Sequence, residues 1–182
     1  MTVHPAPDSG REPAGFEELA MPLLSSLHNF ARWLTRDRDD AEDLVQETFT
    51  KALRGFDSFQ PGTNFRSWIF RILKNTFLTS RAGLKAHPTV PLGEDADSGG
   101  PPATTDTPET ILLASAGREL VRGAIESLPR VFQEAVLLRD VEGLTYLEIA
   151  EALSIPVGTV MSRLARGRRE IRAHIERRLG GK

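Results

Sequence analysis

At 182 residues with 40% hydrophobic content, the chain is long enough to bury a core as one domain or as two small ones. It has no cysteine and only four scattered histidines, which excludes disulfides, thiolate metal sites and intrinsic thiol redox sensing. The net charge of −2 is unevenly spread: residues 1–81 carry 10 basic and 11 acidic side chains, 82–116 carry 1 and 5, and 117–182 carry 12 and 9, so an acidic middle hides a basic C-terminal part.

Residues 1–14 hold prolines and mixed charge without apolar periodicity and read as a disordered tail. They lack the basic start and apolar stretch of a signal peptide, and no apolar run approaches the ~18 residues of a membrane span. The expectation is a cytoplasmic protein without membrane insertion. From Phe16, the residues Leu19, Ala20, Leu23, Leu24, Leu27, Phe30, Ala31 and Leu34 recur at three-four spacing, one apolar helix face that Pro22 kinks or splits. Asp39 is placed to cap a second helix with the stripe Ala41, Leu44, Val45, Phe49, Ala52 and Leu53, and Gly55 to end it. Asn64 caps a third, carrying Phe65, Trp68, Ile69, Ile72, Leu73, Thr76 and Phe77.

Between Gly83 and Pro108 proline, glycine and acidic residues dominate, and little there can form a core. Thr107-Pro108-Glu109 then signals a helix start, followed by Ile111, Leu112, Leu120, Val121, Ala124, Ile125 and Leu128. Pro129 restarts the chain into Val131, Phe132, Ala135, Val136 and Leu138, with Gly143 as the stop. With no strand-type alternation anywhere, the expected fold is all-α. Its parts are a tail (1–14), a small helical domain (15–82), a flexible acidic linker (83–108) and a second helical domain (109–182).

Thr145 and Glu148 have capping-box spacing, flanked by Leu144 and Ile149 as a hydrophobic staple, so a short helix through Leu153 is sharply defined. Ser154-Ile155-Pro156 breaks it and starts a long basic helix from Val157 to about Leu179. Short helix, tight turn and long basic helix make a helix-turn-helix. On the last helix Val157, Val160, Leu164 and Ile171 share one side, opposite Thr159, Ser162, Arg166 and Arg169. Arginine pairs bidentately with guanine in the major groove and hydroxyls meet bases or phosphates, while Arg163, Arg168, Arg172, Arg177, Arg178 and Lys182 would track phosphates. A solvated cationic face is the plainer alternative, against which the coincidence of cap, staple, turn and outward Thr/Ser/Arg face weighs.

Asp39-Asp40-Ala41-Glu42-Asp43-Leu44-Val45-Gln46-Glu47-Thr48-Phe49 resembles the region-two signature of extracytoplasmic-function (ECF) sigma factors of bacterial RNA polymerase. Phe56-Asp57-Ser58-Phe59 and the stretch Asn64 to Thr76 resemble that family's promoter-melting segment, and Pro156 to Arg169 its region-four recognition helix. The resemblance spans about residues 16–81 and 117–178 and implies a two-domain sigma factor that catalyses no reaction and takes no cofactor or metal. Its implied partners are core RNA polymerase, at the clamp and the flap, promoter DNA, and an anti-sigma factor acting in a stress response.

Position by position, the resemblance places Asp40, Glu42, Asp43, Gln46 and Glu47 at the polymerase, Phe56, Phe59, Asn64 and Phe65 at a pocket for a flipped minus-ten base, and Arg71, Lys74 and Asn75 on the strand. It assigns Thr159, Ser162, Arg163, Arg166, Arg168 and Arg169 to the minus-thirty-five element. Five carboxylates among residues 39–47 would repel DNA and suit a basic protein partner, although a solubilising face explains them too. Phe65 and Trp68 continue the apolar stripe, which favours packing over base contact for both. Met161 and Ala165 depart from the larger or cationic side chains common there in the family. The stretch Val157 to Leu164 is also similar to members that answer thiol-oxidative stress through a zinc-containing anti-sigma factor; with no cysteine here, the sensing thiols would lie in that partner. The competing function is a helix-turn-helix regulator that acts without core polymerase. An enzyme has no supporting nucleophile, phosphate loop or ligand spacing.

Overall fold

The computed structural model describes residues 15–60, 62–84 and 108–180, for 81–84 and 108–115 the backbone only. The expected tail (1–14), most of the expected linker (85–107, with the Thr107 cap) and Lys182 lie outside the described residues. Among the described residues every regular element is helical. The α-helices are α1 (Phe16–Ala20), α2 (Leu24–Thr35), α3 (Arg38–Gly55), α4 (Phe65–Leu84), α5 (Pro108–Glu126), α6 (Arg130–Val136), α7 (Tyr146–Leu153) and α8 (Val157–Gly180). The chain divides into two compact units that part between Phe77 and Leu78, within α4.

In the first unit Pro22 opens a single 3-10 turn, Met21–Leu23, which separates α1 from α2 because proline offers no N–H to a continuous helix. Arg36, in the left-handed region at φ 63°, closes α2 by donating its N–H to the Arg32 carbonyl at 2.9 Å. The next residue, Asp37, is extended, and its Oδ1 accepts the Asp40 N–H at 2.9 Å. Asp37, not Asp39, is therefore the cap of α3. The left-handed turn at Arg36 releases the chain directly into it, and Asp39 falls in the first turn, where its charge favours the helix dipole.

Leu27, Phe30, Ala31 and Leu34 of α2, Ala41, Leu44, Val45 and Ala52 of α3, and Ile69, Phe70, Leu73 and Phe77 of α4 are buried together. The Phe30 and Phe70 rings meet at 5.7 Å between centroids. Leu53 leaves the expected stripe and is 58% exposed; Thr48 joins the buried row instead, its hydroxyl satisfied on the Leu44 carbonyl at 2.7 Å. Asn64 caps α4 as its spacing indicated, accepting the Ser67 N–H at 3.1 Å.

The second unit packs α5, α6 and α7 against α8. Gln133, buried on α6, donates to the Ile125 carbonyl at 3.1 Å and so ties α6 to the end of α5. After Val136 the helix widens into one π turn, Leu137–Val141, closed by the Glu142 N–H on the Leu137 carbonyl at 2.9 Å. Gly143, at φ 72°, reverses the chain toward α7. Val121 and Val131, expected on the apolar faces, are exposed, while Ala124, Ile125, Leu128, Ala135, Val136 and Leu138 form the core. Gly167 sits where α8 crosses α6: a Cβ there would lie 2.8 Å from Val136 Cγ2 and 3.4 Å from Phe132 Cβ. A side chain there would force Val136 or Phe132 to shift.

Candidate protein and nucleic-acid interfaces

Opposite the buried row Ala41, Leu44, Val45, Thr48 and Ala52, helix α3 turns Asp40, Glu42, Asp43, Gln46 and Glu47 to solvent, and all five are exposed. Arg38 meets Glu42 at 3.5 Å and Lys51 meets Glu47 at 2.7 Å, single-turn pairs at the rims of the face. Exposed pairs of this kind contribute little to stability. Leu53 stands at the C-terminal end of this acidic face. Its exposure was not readable from spacing, which continues the apolar stripe straight through it.

The segment between α3 and α4 is organised by rings. Phe56 and Phe59 stack at 5.9 Å with 9° between planes, Phe59 meets Phe65 edge-on at 5.4 Å, and Trp68 lies 5.2 Å from Phe59 and 5.4 Å from Phe65. Phe16 of α1 closes on the same group, 5.4 Å from Phe56 and 6.0 Å from Phe65. Phe65 is buried at the centre, while Phe56, Phe59 and Trp68 are half-buried and Asn64 is exposed. Phe65 thus packs. Beyond it, Arg71 and Asn75 lie exposed one turn apart on α4 with Lys74 half-buried beside them.

The helix-turn-helix is built as its local signals indicate. Glu148 N–H donates to Thr145 Oγ1 at 3.2 Å, Thr145 N–H donates to Glu148 Oε2 at 2.6 Å, and Leu144 and Ile149 are buried as the staple. Ser154 is left-handed at φ 55°, and the Pro156 carbonyl accepts the Thr159 and Val160 N–H groups, so Pro156 stands just before α8 rather than inside its first turn. On α8, Val160, Leu164 and Gly167 are buried, whereas Ser162, Arg166 and Arg169 are exposed and Thr159 and Arg163 half-buried.

Arg168 is engaged within the unit. Its Nε donates to Asp140 Oδ2 at 3.1 Å and its Nη2 to Oδ1 at 2.6 Å, a bidentate pair joining α8 to the π turn. The hydrogen bond to Asp140, opposed by slight burial and aided by Tyr146, raises the Arg168 pKa further above its ordinary value. Arg139 Nη1 donates to the Leu144 carbonyl at 2.8 Å, and its guanidinium stands 5.2 Å from the Tyr146 ring centroid. These contacts hold α7 and α8 in register beneath the outward face. Spacing gave no sign of Asp140, because its partner lies 28 residues away.

Residues 19–85 match the family model for Sigma-70 region 2, and residues 118–171 match that for Sigma-70, region 4. The ECF RNA polymerase sigma-E factor of Haemophilus influenzae is 40% identical over 163 residues, covering 85% of this chain and 86% of that protein. The chain belongs to the ECF sigma factors. SigE of Mycolicibacterium smegmatis is 38% identical over 162 residues, 88% of this sigma factor but only 61% of the relative's own length. Among solved structures, the sigma factor RpoE of Bartonella quintana, in complex with the anti-sigma factor NepR, superposes with a TM-score of 0.69 at 27% identity, covering 88% of this chain and 96% of that one. CnrH, solved with the cytosolic domain of CnrY, shares the fold at a TM-score of 0.62 and 23% identity, covering 88% and 87%. No described helix of this sigma factor is long and apolar enough to cross a membrane.

Proposed function

We propose that this ECF sigma factor binds core RNA polymerase through the acidic face of α3, opens the minus-ten element with the first domain (15–82) and holds the minus-thirty-five element as duplex with the second (109–182). The observation that carries this reading is the contrast in charge between two outward helix faces, each within its own unit. Asp40, Glu42, Asp43, Gln46 and Glu47 on α3 repel nucleic acid and suit the basic clamp of a protein partner. Ser162, Arg166 and Arg169, with Thr159 beside them, suit the major groove. Leu53, an exposed apolar side chain at the C-terminal end of this face, adds an apolar contact at the edge of such a protein interface. The half-buried rings of Phe56 and Phe59 would stack on an unpaired base, with Arg71, Lys74 and Asn75 following the strand. The second domain would meet the polymerase flap while Arg163 and Arg172 follow phosphates; Arg168, held by Asp140, serves chiefly to position the helix.

Restraint by an anti-sigma factor is supported by the Bartonella relative, solved in complex with NepR. A zinc-containing partner would supply the thiols this chain lacks, and a pull-down that recovers no small Cys/His-rich protein counts against it. Transcription in vitro over fragmented genomic DNA, with core polymerase and with or without this protein, tests the reading as a whole. New start sites sharing two spaced upstream elements are the expected result. Specific duplex binding without polymerase, and no new starts, would instead identify an independent regulator.

A further inference from the structure

The outward side of α8 is divided lengthwise into two rows of different chemistry. Ser162, Arg166 and Arg169 follow one another at four- and three-residue spacing and are exposed; Gly158, Met161 and Ala165 follow at three- and four-residue spacing along the next row and are exposed too. Met161 is 54% exposed, although the helix has a buried stripe that an apolar side chain would ordinarily join. Row one can donate and accept hydrogen bonds. Gly158, Met161 and Ala165 offer no side-chain donor or acceptor to the edge of guanine, adenine or cytosine, and Arg168, next along the row, already donates through Nε and Nη2 to Asp140. The single apolar group that the major groove displays is the C5-methyl of thymine, which apolar side chains recognise by contact. A methionine is long and adaptable enough to cover it, and Ala165, one turn along, lets the bases approach the helix closely on the same side.

Resting on the sigma reading above, we propose that Met161, with Ala165, selects thymine methyl groups in the minus-thirty-five duplex, on the side adjoining the base pair that Arg166 reads. The Arg168–Asp140 pair further along the Met161 row fixes how deeply that row can enter the groove. The row then discriminates by shape and hydrophobic contact alone, and the neighbouring row by hydrogen bonds.

The element is first defined from the start sites produced with core polymerase. Each thymine on both strands is then replaced by deoxyuridine, which differs only in lacking the methyl group, and holoenzyme occupancy is measured by titration. At one or two positions the replacement is expected to lower affinity about three- to fivefold, the size of one buried methyl group. Met161→Ala should lower affinity for the thymine duplex similarly and abolish the difference between thymine and uracil at that position, with initiation from the same start site. Uracil tolerated at every position, or an element without thymine on either strand, overturns the methyl contact while the sigma reading stands. Absence of any start site overturns the sigma reading, and the methyl contact falls with it.

Discussion

Helices α3 and α8 are built on one plan and carry opposite charge. Each buries a narrow row, Ala41, Leu44, Val45, Thr48 and Ala52 on α3 and Val160, Leu164 and Gly167 on α8, and each leaves the opposite side to solvent. The α3 surface is acidic with its ion pairs confined to neighbours one turn apart, whereas α8 is basic and ties one arginine to a distant element. The difference teaches that the two surfaces are held by different means. On the function proposed above, the α3 face would meet another protein and need only a stable helix beneath it, while the α8 face would enter a groove and need a defined depth and angle. The long-range pair Arg168–Asp140 and the close crossing at Gly167 supply that setting on α8.

Reversing the sign of the α3 face is the largest test of this contrast. Asp43→Lys combined with Glu47→Lys should weaken core polymerase binding by about a hundredfold or more, since opposed like charges cost several kcal/mol, with the helical circular dichroism unchanged. Retained affinity would break the comparison. On the other helix, Arg166→Ala should cost about 1–3 kcal/mol at the minus-thirty-five duplex if the side chain reads a base, and that loss should vary with the base pair opposite. A uniform loss across sequences would reduce Arg166 to a phosphate contact.

Gly167→Ala sharpens the argument about helix setting. Alanine is the better helix former by about 1 kcal/mol, yet its Cβ would press on the branched Val136 side chain and on Phe132, and overpacking of this kind costs about 1–3 kcal/mol. A lowered denaturation midpoint is expected, and a raised one would show that the crossing has room. The smallest effect is assigned to Asp140→Asn. Both partners are partly exposed, so stability should fall by less than about 1 kcal/mol. Freed Arg168 should then steepen the salt dependence of duplex binding by about one counterion. An unchanged slope would mean that the arginine stays engaged without its carboxylate.

Features whose partners lie within one helical turn were open to sequence reading: the Thr145–Glu148 box, the Asn64 cap, the break at Ser154 and the two outward faces all follow from spacing. The aromatic segment was half open to it. Phe65 and Trp68 read as packing, but the closure of Phe16 over Phe56 joins residues 40 positions apart in the chain. Periodicity likewise put Leu53, Val121 and Val131 in the core, because it records which residues share a helix side and not how wide a strip the neighbouring helices cover.

By itself the sequence determined an all-helical fold, the caps of α4 and α7 and the sign of charge on each outward face, but it misplaced the cap of α3 by two residues. These depend on backbone hydrogen bonds and side-chain order along one helix. Tertiary structure alone decided that α6 ends in a π turn, that Arg168 is spent on Asp140 and that Gly167 is the point of closest helix approach. Each of those outcomes depends on where chain turns end or on atoms brought together from distant positions, and no local pattern carries that information.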